Sequence, residues 1–248
     1  MNSISTKPRT AYGSAEENKT LQFVSLFIHD LEGPLVALKS LLRLLYKDRF
    51  DVTKPAHQTL LGSCKIAIER AEALVFDLLT AARAGTSELV VEMEPCSVQE
   101  VISNSCSMAR PAAAEYKVSI EERLPVKALT VEADRLLLNR VLDNLIFNAI
   151  RHTPIDGEVI VEAVLKGKYV EFAVTDAGPG INKTDPDELF TIYKQAEYRS
   201  RGLHRGVGIG LYFCRLAVET MGGTIRAENI PDRGATIRFT IPAGREGK

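Results

Sequence analysis

The stretches NLIFNAIRHTP at residues 144–154 and DAGPG at residues 176–180 decide the fold of this chain. The first lies in a longer segment, residues 134–153, in which apolar residues recur almost all round a helix. A helix that is apolar on most of its surface lies deep in a core. The second follows the segment YVEFAVTD, which is typical of a strand, and its glycines predict a turn.

The segments on either side of these stretches predict a mixed α+β unit. Strands are predicted at LVVEME, KVSIEERL, residues 129–131, EVIVEAVL, YVEFAVTD, TIRAENI and ATIRFTIP, and further helices at SVQEVISNSCSMARPAAAEY and LYFCRLAVETM. Two strands joined by the turn KGK and a last hairpin around PDRG indicate neighbouring strands. We therefore expect an α+β sandwich, with helices on one face of a mixed sheet.

The N-terminal third predicts two long helices joined by the polar break DRFDVTKP. Heptad steps of three and four residues connect Leu21, Val24, Ile28, Leu31, Leu35, Leu38, Leu42 and Leu45. A second seam connects Leu60, Cys64, Ala67, Ala71, Leu74, Leu78 and Ala81, and Leu61, Ile68, Val75 and Ala82 widen it. Pro34 predicts a bend in the first helix, and Pro55 suits the first turn of the second. Because one hairpin cannot bury so wide an apolar face, we expect a homodimer with a four-helix bundle.

The expected organisation is a flexible tail at residues 1–16, a helical hairpin at 17–86 and an α+β domain at 87–248. The net charge of −1 gives no support for nucleic-acid binding. No apolar run approaches the roughly 18 residues of a membrane span, and the N-terminus lacks the apolar core of a secretory signal. We therefore expect a cytoplasmic protein without a direct membrane segment. The four cysteines match no metal or redox motif and predict reduced, buried side chains.

Three patches in the α+β unit carry candidate chemistry. Asn144 and Asn148 lie four residues apart, on one helix face, where amide oxygens can ligate magnesium; capping or core hydrogen bonding is the alternative. Asp176 can accept a hydrogen bond from an exocyclic amino group such as that of adenine, although DAGPG alone is also a β-turn signal. Gly206, Gly208 and Gly210 of RGVGIGL precede a helix and can expose N–H groups to phosphates. This glycine pattern does not follow a strand of a βαβ unit, so a Rossmann site is excluded.

The order and spacing of these patches resemble the Bergerat-fold ATPases, the class shared by histidine kinases, gyrase, the ninety-kilodalton heat-shock chaperone and MutL. NLIFNAIRHTP resembles the N box, DAGPG the first glycine box, ELFTIYKQ the F box, GVGIGL the second glycine box and GATIRF the last glycine-threonine segment. The resemblance covers roughly residues 87–243. It implies a Bergerat-type α+β domain that binds ATP with Mg²⁺.

The resemblance also implies roles for the matching residues. Asn148 would be the main magnesium ligand with Asn144 nearby, and Asp176 would read the adenine amino group. Residues 183–205 would form a mobile lid. The implied nucleotide-binding residues are Asn144, Asn148, Arg151 at phosphate, His152 beside adenine, Asp176, Gly178, Gly180 beneath the base, Lys194, Arg205, Gly206, Gly208, Gly210, and Thr236, which would support Asp176 through water. Arg199, Arg201 and His204 add to the charge of the lid.

The stretch HDLEGPL, which begins at His29, resembles the H box of the HisKA sensor histidine kinases. The resemblance implies that His29 is the phosphorylated residue, that Asp30 orients its ring, and that a separate response regulator receiver domain accepts the phosphoryl group. In the chaperone and gyrase branch a water-activating glutamate stands where this chain has Asn144, which cannot take a proton from water. Transfer to a protein side chain is therefore favoured over steady hydrolysis.

The expected function is thus ATP-dependent autophosphorylation of His29 in two-component signalling. A phosphotransfer or ATP-switch scaffold without robust kinase activity, a non-kinase ATPase and a serine kinase are the alternatives. Gly33 stands where many relatives have Thr or Asn, whose side chain helps to position water for dephosphorylation of the partner. We therefore expect weak or absent phosphatase activity. Rapid dephosphorylation of the regulator that is lost when Gly33 is changed would contradict this expectation.

Overall fold

The structure is a computed structural model that describes residues 31–47, 50–84, 91–181, 186–191, 210–231 and 234–244. These residues fall into two compact units, one that ends at Leu74 and one that begins at Val75. Among the described helices, none has the length and apolar character that a membrane crossing requires.

The N-terminal unit contains one helix and the larger part of a second, which continues past Leu74. Residues 31–46 are helical (α1), and helix α2 spans Pro55–Ala84. Cys64 on α2 is buried, and its thiol donates a hydrogen bond to the Ala37 carbonyl of α1 at 3.3 Å. The ring of Phe50, in the loop before α2, stacks on the ring of His57 in the first turn of α2, with centroids 5.3 Å apart. The small and buried side chains of the second seam therefore lie where the two helices meet.

Another part of the predicted seams stays uncovered in the single chain. Six aliphatic side chains of α1 and α2 are between 37% and 52% exposed: Leu35, Leu42, Leu45, Leu61, Ile68 and Val75. The three on α2 are seven residues apart, as heptad positions are. We call this set the exposed heptad surface. The predicted bundle itself stays a prediction, and the predicted bend at Pro34 involves residues before position 31, outside the described residues.

The second unit alternates strands and helices. Its elements are β1 (Glu94–Ser97), α3 (Val98–Tyr116), β2 (Ser119–Arg123), β3 (Thr130–Ala133), α4 (Arg135–His152), β4 (Glu158–Lys166), β5 (Tyr169–Thr175), a 3₁₀ turn (Pro186–Phe190), α5 (Gly210–Thr220), β6 (Ile225–Ile230) and β7 (Gly234–Pro242). Polar side chains begin two of the helices. Ser97 Oγ accepts from Glu100 N at the start of α3, and Asp134 accepts from Leu136 N and Leu137 N at the start of α4.

A five-stranded mixed sheet forms the base of this unit, in the order β2-β4-β5-β7-β6. Only β2 and β4 pair in parallel, and the other described pairs are antiparallel. One hydrophobic core joins α3, α4 and α5 to the inward side chains of the sheet, among them Phe172 and Phe239, whose rings stack at 4.8 Å. The predicted α+β sandwich is confirmed, and the apolar segment 134–153 provides its central helix.

The strand predicted at LVVEME lies elsewhere. Residues 91–93 are not in a strand, and β1 begins at Glu94 and pairs with β3, which ends at Ala133. The next residue, Asp134, caps α4, so β3 offers no further partner. Glu92 N instead donates to the Asp134 carboxylate at 3.2 Å. The early end of β3 therefore sets the start of β1, which the apolar pattern could not indicate.

The outward face of the sheet carries an ion cluster centred on Glu171. This side chain is 3% exposed, and it accepts hydrogen bonds from Lys166 Nζ at 2.7 Å and Arg226 Nη2 at 2.8 Å. Arg238 lies 3.5 Å away and also pairs with Glu228. Burial raises the pKa of Glu171, but the bonds from Lys166 and Arg226 outweigh burial and hold its pKa below the ordinary value.

We expect Glu171→Gln to lower the free energy of unfolding at neutral pH by about 1–3 kcal/mol. The substitution removes a buried charge that pairs with several cations, and its cost is moderate because those cations are themselves half exposed. Since the folded-state pKa is depressed, this stabilisation is present above the unfolded-state pKa and is lost as pH falls through the folded-state pKa. Urea denaturation followed by circular dichroism should show the difference between variant and wild type shrinking at acidic pH.

Glu219→Gln is the matched control, because Glu219 forms an exposed ion pair with Arg215 on α5. Its cost should be at most a few tenths of a kcal/mol. Equal effects of the two substitutions, or an effect of Glu171→Gln that does not change with pH, would contradict the role of the cluster.

Candidate functional site

Helix α4 carries the polar pair predicted from the sequence. Asn144 and Asn148 are both half-buried on this helix, although most of their neighbours lie in the core. Within the described part of the chain, Asn144 Nδ2 is buried without a hydrogen-bond partner. Gly210, at the start of α5, lies beside this amide, and a Cβ on Gly210 would be 3.2 Å from Asn144 Oδ1. The N box and the end of the second glycine box are therefore adjacent.

The loop after β5 is fixed through Asp176. Its backbone N donates to Ala235 O on β7 at 2.9 Å. Its Oδ1 accepts from Gly178 N at 2.8 Å and from Ala235 N at 3.4 Å. Burial raises the pKa of Asp176, and the two N–H groups oppose that rise. The carboxyl group is thus held at the end of the strand while part of its acceptor capacity remains open.

Two glycines allow this loop to pack tightly against its surroundings. A Cβ on Gly178 would lie 2.7 Å from Asp176 Oδ1 and 2.7 Å from the backbone carbonyl of His152. Gly234 has a φ of +99°, and a Cβ there would lie 2.5 Å from the Asp176 carbonyl. The loop is therefore enclosed by the end of α4 on one side and the start of β7 on the other, with no space for larger residues.

The threonines near Asp176 form their own contacts. Thr236 is fully buried, and its hydroxyl lies 2.8 Å from the hydroxyl of Thr175, which directly precedes Asp176. Thr153, the C-cap residue of α4, accepts a hydrogen bond from Ala177 N at 3.4 Å. The direct contact of Thr236 is thus with the residue next to Asp176, and its link to the carboxylate through water stays a prediction.

Sequence reasoning did not identify Asn229 of β6. Its Oδ1 accepts from Ile181 N at 2.6 Å, and its Nδ2 donates to Ile181 O at 2.8 Å. Gly180 has a φ of +78°, and a Cβ there would lie 2.7 Å from Asn229 Oδ1. Asn229 also lines a pocket of about 360 Å³ beside the glycine loop. The only signal in the sequence was its place between a strand and the PDRG turn.

The structure thus brings the N box, the first glycine box and the glycine-threonine segment together at one end of the sheet. Arg151 and His152 lie in the last turn of α4, next to the glycine loop. The remaining predicted site residues lie outside the described residues: His29, Asp30, Lys194, Arg205, Gly206 and Gly208. The predicted lid charges Arg199, Arg201 and His204 lie outside them as well.

Comparison with known families agrees with this geometry. Residues 133–245 match the family model described as "Histidine kinase-, DNA gyrase B-, and HSP90-like ATPase". This range contains α4, the glycine loop and β7. Residues 133–245 therefore resemble the ATPase domains that this model describes.

The chain as a whole is homologous to sensor histidine kinases, which confirms the resemblance inferred from its motifs. It is 28% identical to the alginate biosynthesis sensor protein KinB of Pseudomonas aeruginosa over 92% of this chain and 38% of that protein. It is 30% identical to the sensor protein KdpD of Escherichia coli over 86% of this chain and 23% of that protein. The chain thus spans well under half the length of these two relatives.

A solved structure shows a similar fold. The histidine kinase AdeS of Acinetobacter baumannii aligns with a TM-score of 0.61 at 23% identity, over 86% of this chain and 97% of that one. At this identity the similarity concerns the fold alone.

We expect Gly178→Ala to lower the free energy of unfolding by about 1–3 kcal/mol, because the new Cβ has to displace the backbone at His152. Gly62→Ala is the control, since nothing lies within 4 Å of a Cβ at this position of α2. That substitution should stabilise the helix by up to about 1 kcal/mol. Thermal denaturation of the two variants would test how tightly the loop packs at Gly178. A melting temperature of Gly178→Ala equal to that of the wild type would contradict the tight packing.

Proposed function

We propose that this chain is an ATP-dependent protein histidine kinase that phosphorylates His29 and passes the phosphoryl group to an aspartate of a separate response regulator receiver domain. The observation that carries the proposal is the arrangement along α4 within the part of the chain that matches the ATPase family: Asn144 lies beside Gly210, and the end of the helix contacts the Asp176 loop. The homology to sensor histidine kinases supports transfer to a histidine. We further propose that the protein acts in the cytoplasm.

Adenine recognition is assigned to Asp176. Its carboxylate keeps a free acceptor position after receiving the Gly178 and Ala235 N–H groups, so it can accept from the exocyclic amino group of adenine. Gly178 and Gly180 let the loop follow this path, because a Cβ at either position would meet Asp176 or Asn229. Thr236 supports this arrangement by fixing the neighbouring Thr175.

The α4 amides would hold a magnesium ion beside the phosphates of ATP. Asn144 has an amide N without a partner among the described residues, and its Oδ1 lies beside Gly210 at the start of α5. Asn148 lies one turn further along the same face. Amide oxygens are ligands that Mg²⁺ accepts, with water and phosphate oxygens completing its octahedron. When bound, the ion would neutralise charge on the phosphate oxygens.

The proposed chemical step is an in-line displacement. A neutral imidazole nitrogen of His29 forms a bond to the γ-phosphorus of ATP, while the bond from that phosphorus to the β–γ bridging oxygen breaks. ADP leaves with the electron pair, and the proton on the other ring nitrogen passes to Asp30 and then to water. Arg151 and the predicted lid residues Lys194 and Arg205 would meet phosphate charge.

Dimerisation through the helical hairpin is part of the proposal. The exposed heptad surface places six aliphatic side chains in solvent at spacings that suit coiled-coil packing. A second copy presents the same surface, as twofold symmetry requires, and would bury all six. A scaffold of the same fold without robust kinase activity is the second candidate, since it would also need the hairpin and the ATP site.

His29→Ala should abolish phosphorylation. Incubation of the wild type with γ-labelled ATP should give acid-labile, base-stable label, as a phosphoramidate does. The variant should carry none while its affinity for ATP is unchanged, because His29 lies outside the nucleotide-binding set. His57→Ala, in the first turn of α2, is the matched control and should keep its label. Label on serine would overturn the proposal, and ATP binding without any label would favour the scaffold.

Leu42→Glu should weaken the dimer at least tenfold in its dissociation constant. An apolar side chain contributes about 1.5–3 kcal/mol when buried, and each copy would lose one and gain a desolvated charge. Val36→Glu is the control, because Val36 is an exposed aliphatic residue of the same helix, 100° round from Leu35. Sedimentation equilibrium would separate the two. A wild-type monomer at micromolar concentration would contradict the proposed dimer.

A further inference from the structure

The glycine loop at residues 176–181 is held at both ends by the same β-hairpin. At its start, the backbone N of Asp176 donates to Ala235 O on β7. At its end, both backbone groups of Ile181 bond the side chain of Asn229 on β6. Asn229 and Ala235 are cross-strand partners in the β6–β7 register. The two attachment points are therefore opposite each other on one rigid pair of strands.

Asn229 contributes in a way that few other side chains can match. Its amide offers an acceptor and a donor in one plane, as a backbone peptide group does, and it uses both on a single residue. Ile181 is thereby bound as if it paired with a further strand. The short distance between Gly180 and Asn229 Oδ1 shows that the loop packs directly on this amide.

We infer that Asn229 is a positioning residue for adenine binding, which acts by fixing the glycine loop and through it the carboxylate of Asp176. The inference rests on the proposed ATP site and names a residue that the family motifs do not include in it. Asn229 itself need not touch the nucleotide. Without its amide the loop keeps its attachment at Asp176 but loses the one at Ile181, so Gly178 and Gly180 no longer have one fixed path.

The test compares binding and stability in the full chain. Asn229→Ala should weaken binding of ADP and of adenosine by a similar factor, about three- to tenfold, because two partly exposed hydrogen bonds are lost. Similar factors are expected because the loop faces the base and not the phosphates. The KM for ATP should rise by the same factor while kcat at saturating ATP stays within about twofold. The melting temperature without nucleotide should hardly change.

Two further variants sharpen the result. Asn229→Asp keeps the acceptor for Ile181 N but loses the donor to Ile181 O, so its adenosine affinity should fall between wild type and Asn229→Ala. Adenosine avoids the phosphate repulsion that the new carboxylate would add. Asn104→Ala, at an exposed position of α3 away from the loop, is the matched control and should bind as the wild type does.

Wild-type affinity for adenosine in Asn229→Ala would overturn the inference and leave the proposed ATP site intact. A lower kcat with unchanged KM and a lowered melting temperature would also overturn it, because that combination indicates a structural role alone. Absence of adenine-nucleotide binding by the wild type would instead overturn the proposed function, and this inference with it.

Discussion

The close contact between the Asp176 loop and the first residues of β7 is the constraint on which the second unit depends. Asp176 N donates to Ala235 O, Ala235 N donates to Asp176 Oδ1, and Gly234 leaves no space for a Cβ against the Asp176 carbonyl. This contact ends the pairing of β5 with β7, which runs from Tyr169 to Thr175. The sheet therefore ends where the loop begins, and the loop is attached to two central strands of the sheet.

Helix α4 has to satisfy two demands that conflict. Its apolar residues, from Leu137 to Ile150, hold the core together, and this burial fixes the rotation of the helix on the sheet. That rotation leaves Asn144 and Asn148 half-buried at the edge, where an amide without a partner is costly unless a ligand arrives. Among the described residues, the helix thus carries an unpartnered amide N–H group beside Gly210, where a ligand with acceptor atoms would give it a partner.

Local signals predicted most of this unit, since each strand and helix carries its own periodicity and caps. The start of α4 at Asp134 and the turn at Asp176–Gly180 follow from residue types within a few positions. The features that escaped prediction depend on pairs far apart in sequence. Asn229 and Ile181 are 48 residues apart, and Glu171 and Arg226 are 55 apart. The difference between the predicted and observed start of β1 has the same origin. The end of β3, and not the apolar run in the sequence, determines where β1 begins. Site residues that belong to a sequence motif were therefore predictable. Residues such as Asn229, which bind a loop from a distant strand, were not.

The two units differ in how they bury their apolar surface. The α+β unit buries its apolar residues within one chain, so its site can be rigid without a partner. The hairpin instead leaves Leu35, Leu42 and Ile68 about half exposed, although Cys64 and Ala67 between the helices are buried. Cys64 contacts the Ala37 carbonyl of α1, while the larger aliphatic residues of both helices lie outside that contact. An apolar surface with heptad spacing is stable in water only when covered. Small side chains inside the hairpin and larger ones outside it therefore fit the proposed covering of the exposed heptad surface by a second copy.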